Sequence, residues 1–243
     1  MEQQQNSTTD LEDLARRVAI LEAQQAVRTL QHQYGYYLDK CLYQEVVDLF
    51  ADDGSVFFCG AHYLGKEGVR RLYVGRFRER FTDGLNGPVF GFLLDHPQHQ
   101  DVVTVSDDGQ SARARFRSLM QAGLHEQAKD TFRGTASMEQ WFEGGLYENE
   151  YVKVDGVWKI KTLNYRPFWH GDYAKGWART EPHAFRPTVT YPEDPFGPDT
   201  ISDGGYEFFP NTEVFPFHYP HPVTGQTVES EDNEAARQPA AQG

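Results

Sequence analysis

The eighteen residues from Gly144 to Lys161 leave the chain little choice. They read Gly144-Gly145-Leu146-Tyr147-Glu148-Asn149-Glu150-Tyr151-Val152-Lys153-Val154-Asp155-Gly156-Val157-Trp158-Lys159-Ile160-Lys161. Asp155-Gly156 is the dipeptide that accepts positive φ at both turn positions, and β-branched and aromatic residues alternate with charges on either side of it. The stretch predicts one β-hairpin. Trp158 and Ile160 fall on one face of the second strand while Lys159 and Lys161 point the other way, so one face of the sheet is covered and the other wet.

The covering comes from helices earlier in the chain. Residues 1–8 are polar and read as a disordered start, after which Thr9-Asp10-Leu11-Glu12 is a capping box that opens a long helix to about Asp39. Leu11, Leu14, Val18 and Leu21 recur at three-four spacing, and Val27, Leu30, Tyr34 and Tyr37 form a second stripe, which predicts a helix with one face on a core. A short helix from Tyr43 to Phe50 ends at Ala51-Asp52-Asp53-Gly54, and Ser55-Val56-Phe57-Phe58-Cys59 is a strand. From Gly65 a third helix carries Val69, Leu72, Tyr73, Phe77 and Phe81 on one face. Arg76 shares that face and Arg78 falls nearly opposite. An arginine on a buried side must meet an anion or a ring, because an unpaired charge is costly there. Strands follow at 89–94, 102–106 and 111–121, the last with Arg113, Arg115 and Arg117 on one face and Ala112, Ala114, Phe116, Ser118 and Met120 on the other. Helices first and antiparallel strands after them make an α+β plan.

Past Trp169 the character changes. Ten of the thirteen prolines lie at or beyond Pro182, interleaved with Phe185, Tyr191, Phe196, Tyr206, Phe208, Phe209, Phe215, Phe217 and Tyr219. Proline blocks helices and removes ladder donors, yet so many aromatics argue against free disorder. Residues 171–222 therefore read as an irregular arm lying on its own domain or on a neighbouring subunit, and 223–243 as a solvated tail. A formal charge of −13 argues against nucleic acid or an anionic membrane as partner. Cys41 and Cys59 cannot make a disulfide framework, and the start Met1-Glu2-Gln3-Gln4-Gln5 has no signal-peptide character, so a cytoplasmic protein with free thiols is expected. No apolar run approaches the roughly 18 residues of a membrane span.

The hairpin, together with Tyr34-Gly35-Tyr36-Tyr37-Leu38-Asp39 and Val47-Asp48-Leu49-Phe50-Ala51-Asp52-Asp53-Gly54, resembles the SnoaL-like branch of the nuclear transport factor 2-like superfamily. The resemblance covers about residues 10–169. It implies a domain, residues 9–170, in which a cone of curved, largely antiparallel sheet is roofed by three helices and encloses a pocket. In the family's acid–base enzymes, an Asp at the end of the first helix and a His on a facing strand form a dyad. Asp39 and His96 match those places, and a carboxylate that fixes an imidazole's tautomer raises its usefulness as a base near neutral pH.

Other residues join this candidate site with alternatives left open. Tyr34 and Tyr37 either orient substrate or simply pack the core, and Arg76 either binds a phenolate or developing oxyanion or pairs with an acid such as Asp39. His99 departs from the family pattern; with His96 it could begin a metal site, although no third ligand is forced nearby. Both histidines could equally be loop residues without a role. Trp141, Tyr147, Trp158, Asn164 and Trp169 are expected to line the cone, where aromatic walls suit a flat apolar ligand. There is no G-x-G-x-x-G, P-loop, G-x-S-x-G or H-E-x-x-H, so no nucleotide, serine-nucleophile or zinc-protease chemistry is indicated.

Most members of the family are shorter than this chain. The aromatic extension, with Arg76 and Arg78, resembles the sphingomonad diarylpropane and phenylcoumaran γ-formaldehyde lyases, which act on lignin-derived dimers without a cofactor. That resemblance implies a cofactor-independent lyase taking a small aromatic substrate, with no metal, in a homo-oligomeric (dimeric or trimeric) protein. The alternatives are a dehydratase, isomerase or cyclase on another aromatic or polycyclic molecule, and a non-catalytic ligand-binding module.

Overall fold

The computed structural model describes residues 2–134, 139–181, 187–202, 208–210, 212 and 214–228, with the side chains of 2–9 left aside. Phe185, Tyr206 and the tail from 229 lie outside the described residues, while residues 223–228 are exposed. Four helical elements come early: α1 (Glu2–Asp39), α2 (Tyr43–Asp48), α3 (Gly65–Arg70) and α4 (Arg78–Thr82), the last two joined by a π-helical stretch (Arg71–Phe77). The strands are β1 (Phe50–Phe58), β2 (Ala61–Leu64), β3 (Phe92–Asp95), β4 (Gln98–Val105), β5 (Ser111–Leu124), β6 (Gln140–Val154), β7 (Val157–Asp172) and β8 (Thr200–Ile201).

β6 and β7 are the predicted hairpin, turning at Asp155 (φ 50°) and Gly156 (φ 81°) as the Asp-Gly dipeptide demands. They sit in the middle of one sheet in the order β3-β5-β6-β7-β1-β2-β8, with β4 also paired to β5. All pairs are antiparallel except β1 with β7. The core fills the hollow of this sheet with Val27, Leu30, Tyr34 and Leu38 of α1, Val46 and Val47 of α2, and Phe116, Tyr147, Tyr151, Ile160, Leu163 and Tyr165 of the strands. In β5 the predicted alternation holds: Ala112, Ala114, Phe116 and Ser118 are buried.

Several expectations are corrected. The long helix starts at Glu2, ahead of its capping box, because residues 2–8 contain no helix breaker and several glutamines that favour helix. Its first stripe does not meet the core: Leu11, Leu14, Val18 and Leu21 are all exposed, and only the second stripe is buried. The Ala51–Gly54 turn is instead a bulged start to β1, with Phe50 already opposite Ile160. The arm contributes a short strand, β8, where none was expected.

The described parts of the arm lie against the cone of the same chain. Asp199 accepts from the Leu64 amide (2.7 Å) and Arg71 (2.6 Å), and Tyr191 lies under the Arg71 guanidinium. Farther on, Phe209 donates its amide to the Phe168 carbonyl at 2.7 Å. On the sheet's outer face, Arg115 pairs with Glu148 at 2.5 Å and lies over Phe217, while His218 bonds to the same carboxylate. A face that the hairpin pattern marks as wet is thus partly covered by the arm.

Candidate active site

The hollow of the cone remains open as a cavity reaching to the surface. Aromatic side chains make up much of its walls, among them Tyr34, Phe58, Tyr73, Phe77, Phe92, Trp141, Tyr147 and Tyr165, with Phe208 contributed by the arm. Polar function is supplied by Arg76, Arg80, His96, Glu143 and His170.

Two polar clusters share this space. In the first, Tyr34 and Tyr73 join hydroxyls at 2.9 Å, and the Tyr147 hydroxyl lies 3.3 Å from His96 Nε2. Tyr34 is also bonded to Tyr147, so the hydroxyls form a continuous run from Tyr73 to the imidazole. Burial pushes Tyr34 up to about 12 and holds His96 down at about 3, so the phenols stay protonated and the imidazole neutral at ordinary pH. Asp39 does not touch that imidazole. Its Oδ1 accepts the main-chain N–H of His96 at 2.6 Å, tying the end of α1 to the β3–β4 connection. Burial raises the Asp39 carboxyl to about 6.

The second cluster is built on β6 and β7. Glu143 Oε1 accepts from the Tyr165 hydroxyl at 2.7 Å. Enclosure by protein raises the Glu143 carboxyl to about 7, the phenol's hydrogen bond opposing the shift only in part. His170 is the cross-strand neighbour of Glu143, and the Tyr165 and Tyr147 rings meet in a tilted contact with centroids 4.6 Å apart, which joins the two clusters. The glycine pair makes this possible. A Cβ on Gly145 would stand 2.6 Å from the Tyr165 hydroxyl and one on Gly144 would stand 2.0 Å from the Trp169 indole nitrogen. Only a bare backbone lets Tyr165 lie across β6 to reach Glu143.

The cavity gathers Tyr34, Arg76, His96, Trp141 and Tyr147 of the expected residues, and Asp39 acts on it through the His96 backbone. The others lie elsewhere. His99 is exposed, because a three-residue step in extended chain puts it on the face opposite His96. Arg78 bonds to the Gly84 carbonyl at the end of α4, and Tyr37 and Trp158 pack on the core outside the cavity. Asn164 is moved off the cavity face by one irregularity of β7 and Trp169 by a second, which returns the strand to its first phase. One sits opposite Glu150/Tyr151 and the other opposite Gly144/Gly145, and each reverses which residues face inward. Leu163 and Tyr165 therefore line the cavity where unbroken alternation from Trp158 would bring Asn164, while His170, after both reversals, lies in the phase of Trp158 again. Arg76 meets Asp194 and the Phe196 carbonyl of the arm, not Asp39.

Glu143, Tyr165, His170, Tyr73 and Arg80 were not among the residues singled out from sequence. For Glu143 the signal existed: it shares the odd parity of Trp141 and Tyr147 on β6.

A family model described as a SnoaL-like domain matches residues 19–164, more than half of the chain. The chain belongs to the SnoaL-like family. This SnoaL-like protein has the mixed α+β, curved-sheet fold of that family, as its sequence led one to expect. No curated protein sequence matches it. Among solved structures it is similar to hexachlorocyclohexane dehydrochlorinase LinA-type3 from Novosphingobium barchaimii, at 21% identity over 68% of this chain and 94% of that one, with a TM-score of 0.48. It is also similar to an NTF2-like protein with a cystatin-like fold from Novosphingobium aromaticivorans (21% identity, 64% and 88%, TM-score 0.45) and to ActVI-ORFA from Streptomyces coelicolor (13%, 58% and 94%, 0.44). The SnoaL-like region stops within the second strand of the hairpin, and the arm, whose Phe208 lines the cavity, lies beyond it. Among the described residues no helix is long and apolar enough to cross a membrane.

Proposed function

We propose that the protein is a cofactor-independent acid–base enzyme, a lyase or dehydratase that takes an aromatic small molecule into the cone. One observation carries the reading: Glu143 faces an aromatic cavity with its carboxyl raised to about 7, so near neutrality it can give a proton and take one back. A cavity with this lining suits a flat aromatic substrate.

The finer reading is a lyase on lignin-derived phenolic dimers. Protonated Glu143 donates to the benzylic hydroxyl, which leaves as water while the para-phenol loses its proton and becomes a quinone methide. The Glu143 carboxylate then takes the proton of the γ-hydroxyl. The carbon–carbon bond to that carbinol breaks, its electron pair restores the phenolate through a new double bond, and formaldehyde and a stilbene depart. The sum is one water and one formaldehyde per diol, with no oxidant consumed. The Tyr34–Tyr73 hydroxyls and the Tyr147 hydroxyl beside neutral His96 would donate hydrogen bonds to the phenolate oxygen, the phenol's proton passing to solvent through the cavity mouth. Arg80, on the cavity wall, favours the phenolate that forms.

The test is incubation of metal-stripped protein with a panel of phenolic diarylpropane diols and phenylcoumarans, following stilbene absorbance and trapped formaldehyde together. Both products at equal yield support the lyase. Loss of water alone leaves a dehydratase, and turnover of none of the panel removes the lignin-dimer substrate.

A further inference from the structure

The exposed stripe of α1 is not a stray surface feature. Leu11, Leu14, Val18 and Leu21 are 64%, 52%, 45% and 63% exposed, and they are spaced three, four and three residues apart, the a/d pattern of a two-stranded coiled coil. At about 100° per residue, this stripe lies on the side of the helix roughly opposite Val27, Leu30, Tyr34 and Leu38, which face the cone. Ile20 and Ala23, on the cone side, are already partly or fully covered. The apolar stripe therefore points directly away from its own domain, where the sheet and the helices of the same cone cannot reach it.

We propose that this stripe pairs with the same stripe of a second copy of the chain, forming a short parallel coiled coil. With Leu11 at position a, Leu14 is d, Val18 a and Leu21 d, a Leu/Val seam of the kind dimers use. Arg17 then falls at g and Glu22 at the following e, the two positions that meet across a parallel pair, so each copy's Arg17 reaches the other's Glu22. An antiparallel pair would instead bring the two Arg17 side chains together. Arg16 is engaged on the outer face with Asp13 of its own helix, at 2.7 Å. The geometry also avoids collision: because cone and seam occupy opposite sides of the helix, the two cones hang outward on either side of the paired helices. A membrane surface is the poorer occupant, since Asp10, Glu12, Asp13 and Glu22 outnumber Arg16 and Arg17 along this segment. Farther along, Gln25 and Arg28 occupy the next a and d positions, and Arg28 turns to Asp101 of its own cone at 2.5 Å. The seam ends where the cone begins. With only four apolar positions per helix, the dimer dissociates on dilution.

The experiment is sedimentation of the full-length protein over a hundredfold range of concentration, with helix content followed by circular dichroism. A reversible monomer–dimer equilibrium is expected. Leu14→Glu with Val18→Glu, both solvent-facing in the single chain, should weaken it more than tenfold without loss of helix content or of the folded cone. Glu22→Arg alone should weaken it several-fold, and adding Arg17→Glu should bring it back to within about twofold of wild type. A monomer at every concentration, or a dimer indifferent to the Leu14/Val18 pair, overturns the proposal. Failure of the charge exchange to rescue overturns the parallel register.

Discussion

Glu143 lines the aromatic hollow and Asp39 reaches it only through the His96 main chain, yet burial raises both above the ordinary carboxyl range. They differ in what they hold. Asp39, at the end of α1, spends its oxygen on a main-chain N–H and so sets the position of a loop. Glu143, near the start of β6, is held by one phenol and turned toward the space where a substrate would sit. The contrast teaches that a raised pKa marks enclosure and nothing more; what the carboxyl is bonded to decides whether it anchors structure or moves protons.

The sharpest way to break this comparison is Glu143→Gln, which keeps the shape and removes the titration. Turnover of a substrate found by the diol panel should fall by about 10²- to 10⁴-fold, the usual share of a general acid or base. The pH profile gives the same contrast in wild type. If Glu143 must be protonated for the first step, kcat/KM declines as pH rises through about 7, the value of its carboxyl. Stability moves with it. Because the folded-state value lies above the ordinary one of 4.5, the favourable contribution is complete below pH 4.5 and is lost as pH rises through about 7. The loss amounts to at most about 3 kcal/mol. The Gln variant should therefore gain stability over wild type between pH 5 and 8 in urea titrations, while losing activity.

His96→Ala is expected to cost well over tenfold in turnover, since it removes the end of the hydroxyl run; unchanged activity would take His96 out of the mechanism. Asp39→Asn should cost only a few-fold, because the amide oxygen still accepts the His96 N–H, a bond worth about 1 kcal/mol. If Asp39→Asn matched Glu143→Gln in severity, Asp39 would be chemical and the contrast between the two acids would fail. Smallest of all, Asp194→Asn loosens the arm from Arg76. That partly exposed ion pair contributes at most about 1 kcal/mol, so melting should drop by about 2–4 °C with kcat within twofold.

What could be read in advance followed local rules. The Asp155-Gly156 turn, the alternation of β5 and the second stripe of α1 each depend on a period that is visible in a few consecutive residues. His96, Tyr34, Tyr147 and Trp141 were within reach for the same reason and because the family pattern points at them. The misplacement of Asn164 follows from the first bulge of β7, whereas His170, past both bulges, shares the parity of Trp158 and was open to the same alternation. A bulge costs one residue of register and leaves no mark that composition alone reveals, yet it exchanges the two faces of everything after it. Arg76 illustrates another limit: helical phase put it on the inner face, but its partner Asp194 comes from 118 residues away.

The sequence by itself determined the elements and the family, because turn chemistry, periodicity and the hairpin motif are local properties of the chain. The tertiary structure decided which carboxyl faces the cavity, which histidine joins it and that the leucines at the start of α1 point away from the core. Those outcomes depend on register shifts and on which surfaces distant segments cover, and neither is written in any one stretch of residues.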